Sequence, residues 1–323
     1  MAFELPSSPA SLDPASRLDA IFARCEGAYA DITLRGYRTD LDFFASWCER
    51  NGAEFLPATP AGVAAFVDEQ LARYSYATIR RCIAAIQFAH RLSDLPSPVG
   101  SSDVYLALRR AGRTKRRRPK QVKGLTADLL EKILEGCPET LSGLRDAALI
   151  SVGYDTLCRS AELSWMEVEH VDLEEGTVYI PRAKNDPFGD GRIAGLSGRS
   201  VDLVRRWLDE AGIEEGPLFR GLHTAKVGPG HLETSSIRRL IKVAARRVGL
   251  TEAATCLSGH SMRVGGAQDL MTAGFDTLAI MTAGGWKNVE VVARYVEKAA
   301  LRRAPSLPLR PGPQNMRGAL SAN

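Results

Sequence analysis

Apolar residues recur at intervals of three and four along most of this chain, the period of helices with one buried face. Five such stretches occupy residues 15–111, and turn residues separate them. They read "ASRLDAIFARCEGAY", "TLRGYRTDLDFFASWCERNG", "TPAGVAAFVDEQLARY", "SYATIRRCIAAIQFAHRLS" and "SSDVYLALRRAG". The second stops at Gly52 and the third opens on Thr-Pro, a helix-starting pair. With no alternating segment among them, residues 15–111 read as an all-α bundle.

Past residue 124 the helical period returns in "TADLLEKILEGC" and "ETLSGLRDAALISVGYDTL". It then gives way to alternation in "VEHVDLEEGTVYIPRAK", whose Glu-Gly turn predicts a β-hairpin, with "GRIAGLS" as a third strand. Helices resume in "SVDLVRRWLDEAG", "TSSIRRLIKVAARRVG", "SMRVGGAQDLMTAG" and "DTLAIMTAG", and close with "NVEVVARYVEKA". The fold class is therefore mainly α in two domains: a helical bundle, then a mostly helical domain at 125–303 with a small antiparallel sheet. Residues 1–14 and 304–323 are rich in Pro, Ser and Gly and are expected to be disordered tails.

Composition narrows the class. Apolar residues make up 45% and charged residues 25% of 323 positions, enough for two buried cores. Cys25, Cys48, Cys82, Cys137, Cys158 and Cys256 are scattered without metal-ligand spacing, which points to reduced thiols and a cytoplasmic chain. No secretion signal or 18-residue apolar run is present. The net charge of +4 says little, but its placement says more. "RRAGRTKRRRPKQVK", residues 109–123, holds nine basic residues and no acid. Residues 112–124 thus read as a basic interdomain linker, and Arg116, Arg117 and Arg118 as candidate phosphate contacts.

Several residues are able to carry chemistry, each with an ordinary alternative. His260 and Arg263 in "GHSMR" share a face of a helix start, where free N–H groups favour a phosphate. Arg159 and Glu162 in "LCRSAELSW" are spaced for an ion pair. Lys184 follows a strand in "RAKNDPFGDG", Trp286 offers an indole N–H, and Tyr295 lies on the apolar face of Val292, Val296 and Ala299. Singly, these read as well as a surface pair, a solvated lysine, a helix cap and two packed aromatics.

Taken together, Arg, Lys, His-x-x-Arg, Trp and Tyr in this order resemble the tyrosine recombinase, or phage-integrase-like, family. "SGHSMRVGGAQDLMTAGFDTLAIMTAGGWKNVEVVARYV" is similar to its Cre-like subgroup, including Trp286 nine residues before Tyr295, where most of the family has His. "DTLCRSAEL", "TLRGYRTDLDFFASWC" and "TIRRCIAAIQFAHRLSDLPSP" extend the likeness to residues 15–300.

The resemblance implies a SAM-like core-binding bundle, a basic strap and a catalytic domain clamping double-stranded DNA. Tyr295 would attack a phosphodiester and form a 3′-phosphotyrosine. Arg159 and Arg263 would hold the non-bridging oxygens, and Lys184 would protonate the leaving 5′ oxygen. His260 and Trp286 would donate to the phosphate, His260 also taking the tyrosine proton, with Glu162 supporting the arrangement. No cofactor, metal or ATP is implied. Ser235 and Arg238, with Arg239 and Lys242, match the family's major-groove helix; Thr78, Arg80 and Arg81 are candidates on the bundle. The implied partners are two short inverted-repeat sites and three further copies of the chain, a monomer in solution becoming a homotetramer on DNA without any membrane association. With the bundle at the start of the sequence, no arm-binding domain is expected, and the short stretch after Tyr295 leaves open how protomers dock. Strand relaxation like a type IB topoisomerase, or a catalytically silent DNA clamp, are the alternative activities.

Overall fold

Two bodies, residues 1–120 and 121–323, make up the chain. The structure is a computed structural model that describes residues 14–115, 121–181, 191–224 and 226–303.

The first body is built from α1 (Pro14–Ala23), α2 (Asp31–Asn51), α3 (Pro60–Gln70), α4 (Tyr76–Leu92) and α5 (Ser102–Thr114). Short polar side chains begin three of these helices. Thr59, Ser75 and Ser101 accept backbone N–H groups from Gly62, Thr78 and Val104, satisfying donors that a helix start leaves free. Phe44, Trp47 and Phe66 meet at the centre of the core, with ring centroids 5.0–6.1 Å apart. Asp40 is buried there and takes a bidentate pair from Arg81 at 2.6 and 2.8 Å.

Helix α5 runs to Thr114, so the linker begins later than residue 112. Ala111 is fully buried, and the core holds the helix past the point where basic residues alone suggest a strap. The linker's far end also differs from expectation. The Lys123 N–H donates to Cys256 O at 3.2 Å and the Leu125 N–H to Ser261 O at 2.8 Å, fixing these residues to the second body.

That body centres on α7 (Leu141–Asp155), buried along most of its length and packed on α9 (Gly198–Ala211) and α12 (Ser261–Ala273). Around it lie α6 (Ala127–Glu135), α8 (Ser160–Ser164), α10 (Thr234–Arg247), α11 (Thr251–Cys256), α13 (Thr277–Gly284) and α14 (Val289–Arg303). Asp269 on α12 ties α6 and α7 down. Its Oδ2 accepts the Ala127 N–H at 2.7 Å, capping α6, and the Tyr154 hydroxyl at 2.6 Å.

Strands β1 (Val171–Asp172), β2 (Thr177–Ile180) and β3 (Arg192–Gly195) form the expected antiparallel sheet in the order β1-β2-β3. The Asp172 carboxylate shapes its first turn by accepting the Glu174 and Glu175 N–H groups. A second sheet was not expected: β4 (Arg220–His223) pairs antiparallel with β5 (Lys226–His231). Its sequence, "RGLHTAKVGPGH", has three glycines and a proline and few strand formers. Tertiary bonding supports it instead, Ser164 Oγ of α8 donating to Leu232 O at 2.7 Å and His231 Nδ1 lying 3.0 Å from Ser164 O. Among the described residues no helix is long and apolar enough to cross a membrane.

Candidate active site

The turn between α7 and α8 organises the site. Leu157 adopts φ 53°, a left-handed backbone that a branched side chain rarely takes and that costs about 1–3 kcal/mol. The kink aims consecutive groups into one place. The Thr156 carbonyl accepts Arg192 Nη2 at 2.8 Å, and the Leu157 carbonyl accepts Arg263 Nη1. Two residues on, Arg159 becomes the N-cap of α8 and donates its backbone N–H to Glu162 Oε2 at 3.0 Å.

Glu162 is the negative centre of this cluster. Arg159 Nη1 donates to its Oε1 at 2.5 Å, and Arg192 Nη2 lies 3.8 Å from Oε2. The predicted Arg159–Glu162 pair is thus present, but it is not a surface pair, since the glutamate side chain is only 3% exposed.

Arg263 is wholly buried on the first turn of α12. Its guanidinium carbon lies 3.9 Å from the Trp286 ring centroid, a cation–π contact that sequence reasoning did not anticipate. Among the described residues, its Nε and Nη2 have no hydrogen-bond partner. Burial and then the neighbouring charge of Arg159 lower its pKa to about 10. A buried cation with free donors costs free energy unless an anion meets it.

The Gly-Gly-Trp turn sets Trp286 in place. Gly285 closes α13 at φ 62°, a conformation open to glycine at little cost. The six-membered face of Trp286 lies where a side chain on Gly284 would project; a Cβ there would stand 2.1 Å from the ring. The indole packs with Leu157, Ile280, Val292 and Val296, so the packing and functional readings of this residue coexist.

Tyr295 completes the arrangement. Val292 and Val296 are buried on α12 and α13, as the helical spacing predicts, while Tyr295 is half-buried at the edge of that face. Its Oη lies 2.7 Å from His260 Nε2. Gln268 of α12 donates to the Tyr295 carbonyl at 3.1 Å, fixing the helix beneath the ring. Burial first, then the charges of Arg263 and Arg159, push the His260 pKa down to about 4. The imidazole is therefore neutral at physiological pH, and in the Nδ1–H tautomer its Nε2 can accept the phenolic proton.

Six of the seven sequence-selected site residues cluster with direct contacts to one another: Arg159 with Glu162, Arg263 with Trp286, and His260 with Tyr295. Trp286 and Tyr295 link the last two pairs, their ring centroids 5.9 Å apart. Lys184 lies outside the described residues, as do Arg116, Arg117 and Arg118. Arg192 was missed. It sits on a short strand with no motif of its own, and only the fold brings it to Glu162. Among the described residues no group of three or more His, Cys, Asp or Glu side chains could hold a metal ion.

Residues 123–302 match the phage integrase family. The chain belongs to that family. Its members are tyrosine recombinases, and this one is an enzyme of site-specific DNA recombination. It is 29% identical to an integrase/recombinase XerD homolog of Selenomonas ruminantium over 290 residues, 85% of this chain and 84% of the relative. It is 28% identical to recombinase Cre of Escherichia phage P1 over 291 residues, 83% of this chain and 84% of that one. Its fold is similar to the XerH site-specific recombinase bound to palindromic difH substrate. The TM-score is 0.63 at 18% identity, covering 90% of this chain and 82% of that one.

The recombinase's other predicted residues lie on two helices, one in each body. On α10, Ser235, Arg238 and Arg239 are exposed and Lys242 half-buried, lining a shallow basic depression with Ser236 and Arg246. On α4, Arg80 is exposed and Thr78 half-buried. Arg81 donates through Nε and Nη2 to buried Asp40, while its side chain stays 60% exposed.

Proposed function

We propose that Tyr295 cleaves a DNA strand by forming an Oη–phosphorus bond as the bond to the 5′ oxygen breaks, leaving a 3′-phosphotyrosine. His260 Nε2 takes the phenolic proton. Lys184 supplies a proton to the departing 5′ oxygen. Arg159 and Arg263 hold the non-bridging oxygens, Trp286 donates to the same phosphate, and Glu162 fixes Arg159. The observation that carries this reading is the buried Arg263, whose Nε and Nη2 are aimed at no protein acceptor among the described residues while the His260–Tyr295 contact stands beside it. A phosphate oxygen supplies the missing acceptor, and fixed donors of this kind are worth about 3 kcal/mol each in the transition state.

The phosphotyrosine retains the energy of the broken phosphodiester, so a 5′-hydroxyl reverses the step without ATP. The charge on phosphorus is met by guanidinium groups, which lets the reaction run without a metal ion. Duplex DNA would be held by Ser235, Arg238, Arg239 and Lys242 on α10, by Thr78 and Arg80 on α4, and by Arg116, Arg117 and Arg118 of the basic stretch that follows α5 in the sequence. Arg81, bonded to Asp40 but 60% exposed, would contact the duplex beside them. The active assembly is a homotetramer on two short inverted-repeat sites, formed in the cytoplasm from monomers.

A supercoiled plasmid carrying two copies of the DNA flanking the gene tests this assignment. Recombinant circles that require both copies are expected. Relaxed topoisomers from a plasmid with one copy, and no recombinants from two, would instead assign topoisomerase activity.

A further inference from the structure

Arg192, the first residue of β3, is separated in sequence from every motif that marks the site. Its side chain is only 13% exposed, and its polar contacts are to Thr156, Cys158 and Glu162 around the α7–α8 turn and to Ala283 at the end of α13. Nη2 donates to the Thr156 carbonyl at 2.8 Å, lies 3.6 Å from Cys158 Sγ and 3.8 Å from Glu162 Oε2. Nη1 donates to the Ala283 carbonyl at 2.9 Å. The stem rests on Gly285, where an added Cβ would stand 3.1 Å from Arg192 Cδ.

One planar guanidinium therefore joins two chain segments, the turn that presents Arg159 and the turn that presents Trp286. Ala283 lies three residues before Trp286, and Thr156 three before Arg159. We infer that Arg192 is a positioning residue, a clamp that holds the Gly-Gly-Trp turn against the α7–α8 turn and so keeps Trp286 over Arg263 and Arg159 beside Glu162. It touches no reacting atom in this role. Lysine cannot replace it, because an ammonium lacks the fixed fork that spans two carbonyls and a carboxylate at once. The inference rests on the proposed phosphodiester chemistry of this site.

The test compares Arg192→Ala and Arg192→Lys with the unaltered protein. The probe is a nicked duplex containing the site, from which the cleaved end diffuses away. Single-turnover formation of the covalent adduct is measured beside duplex affinity and melting temperature. Displacing reactive groups by about 1 Å costs on the order of 100-fold in rate. Both variants are expected to form adduct ~10- to 100-fold more slowly, with duplex affinity changed less than about threefold. In a double-mutant cycle, adding Trp286→Ala to Arg192→Lys is expected to slow cleavage far less than it does in the unaltered protein, because the clamp acts through that turn.

Full activity in Arg192→Lys would overturn the clamp and leave only a charge effect. Additive losses in the cycle would overturn the link to Trp286. If Arg192→Ala does not fold, the lysine variant and the cycle decide. Failure of the unaltered protein to form any adduct would instead defeat the underlying cleavage reading.

Discussion

His260 Nε2 and Tyr295 Oη stand 2.7 Å apart although 35 residues separate them in the chain. Their helices meet because small and apolar side chains on α12 receive the apolar face of α14, leaving the two polar tips at the rim. The pair depends on the protonation state of His260, which its surroundings hold neutral. An imidazole titrates near 6.5 in an unfolded chain and only near 4 in this fold. Between those values unfolding takes up a proton, so the folded form loses stability as pH falls through that window and is unaffected above it. Titration of the DNA-free protein by NMR is expected to find the His260 ring neutral at pH 5. His260→Gln, which cannot titrate, should recover on the order of 2 kcal/mol of the stability lost between pH 6.5 and 4.

Glu162 is the counter-ion for Arg159 and Arg192. Removing it takes the carboxylate partner from two guanidinium groups whose charges already act on buried Arg263. Breaking a buried pair of this kind costs about 3–5 kcal/mol. Glu162→Ala is expected to fall near that range in chemical denaturation and to lower cleavage by ~100-fold, since Arg159 loses its anchor. Glu162→Gln, which keeps one acceptor and the shape, should lie between the two.

Gly284 gives a steric test of the Trp286 position. A methyl group there overlaps the indole, and the ring must swing away from Arg263 to admit it. Overpacking of this sort costs about 1–3 kcal/mol. Gly284→Ala should lose cleavage by ~10-fold or more while still binding DNA, a combination visible by running adduct formation beside a native gel.

The exposed residues of α10 separate into two expected behaviours. Arg238→Ala should relax sequence preference at one base pair, a discrimination of about 1–3 kcal/mol. Arg239→Ala should weaken all duplexes alike and lower the slope of affinity against salt by about 1. Binding to a panel of single-base variants at two salt concentrations resolves the two.

Local rules carried the reading of the helices. Gly52 ends α2 and Thr59 with Pro60 opens α3, signals that act within a few residues and need no tertiary context. The same locality explains the hairpin at Asp172, whose carboxylate bonds its own turn. The β4–β5 sheet was hidden because glycine-rich strands have little preference of their own and take their form from neighbours. Within the site, spacing placed Arg159 with Glu162 and His260 with Arg263, pairs lying three residues apart. It offered no sign of Arg192 or of the Arg263–Trp286 stack, each of which joins distant segments. Asp40 likewise gave no hint that it would hold Arg81, 41 residues away.

The central claim is that Tyr295 is the nucleophile, and covalent trapping tests it most directly. The protein would be incubated in a chelating buffer with nicked DNA from the region flanking its gene, and the products separated under denaturing conditions. A protein–DNA adduct that forms with the unaltered chain is predicted. It should vanish in Tyr295→Phe and fall by ~100-fold or more in Arg263→Ala. An adduct of equal yield from Tyr295→Phe, or specific duplex binding with no adduct from the unaltered chain, would contradict the account.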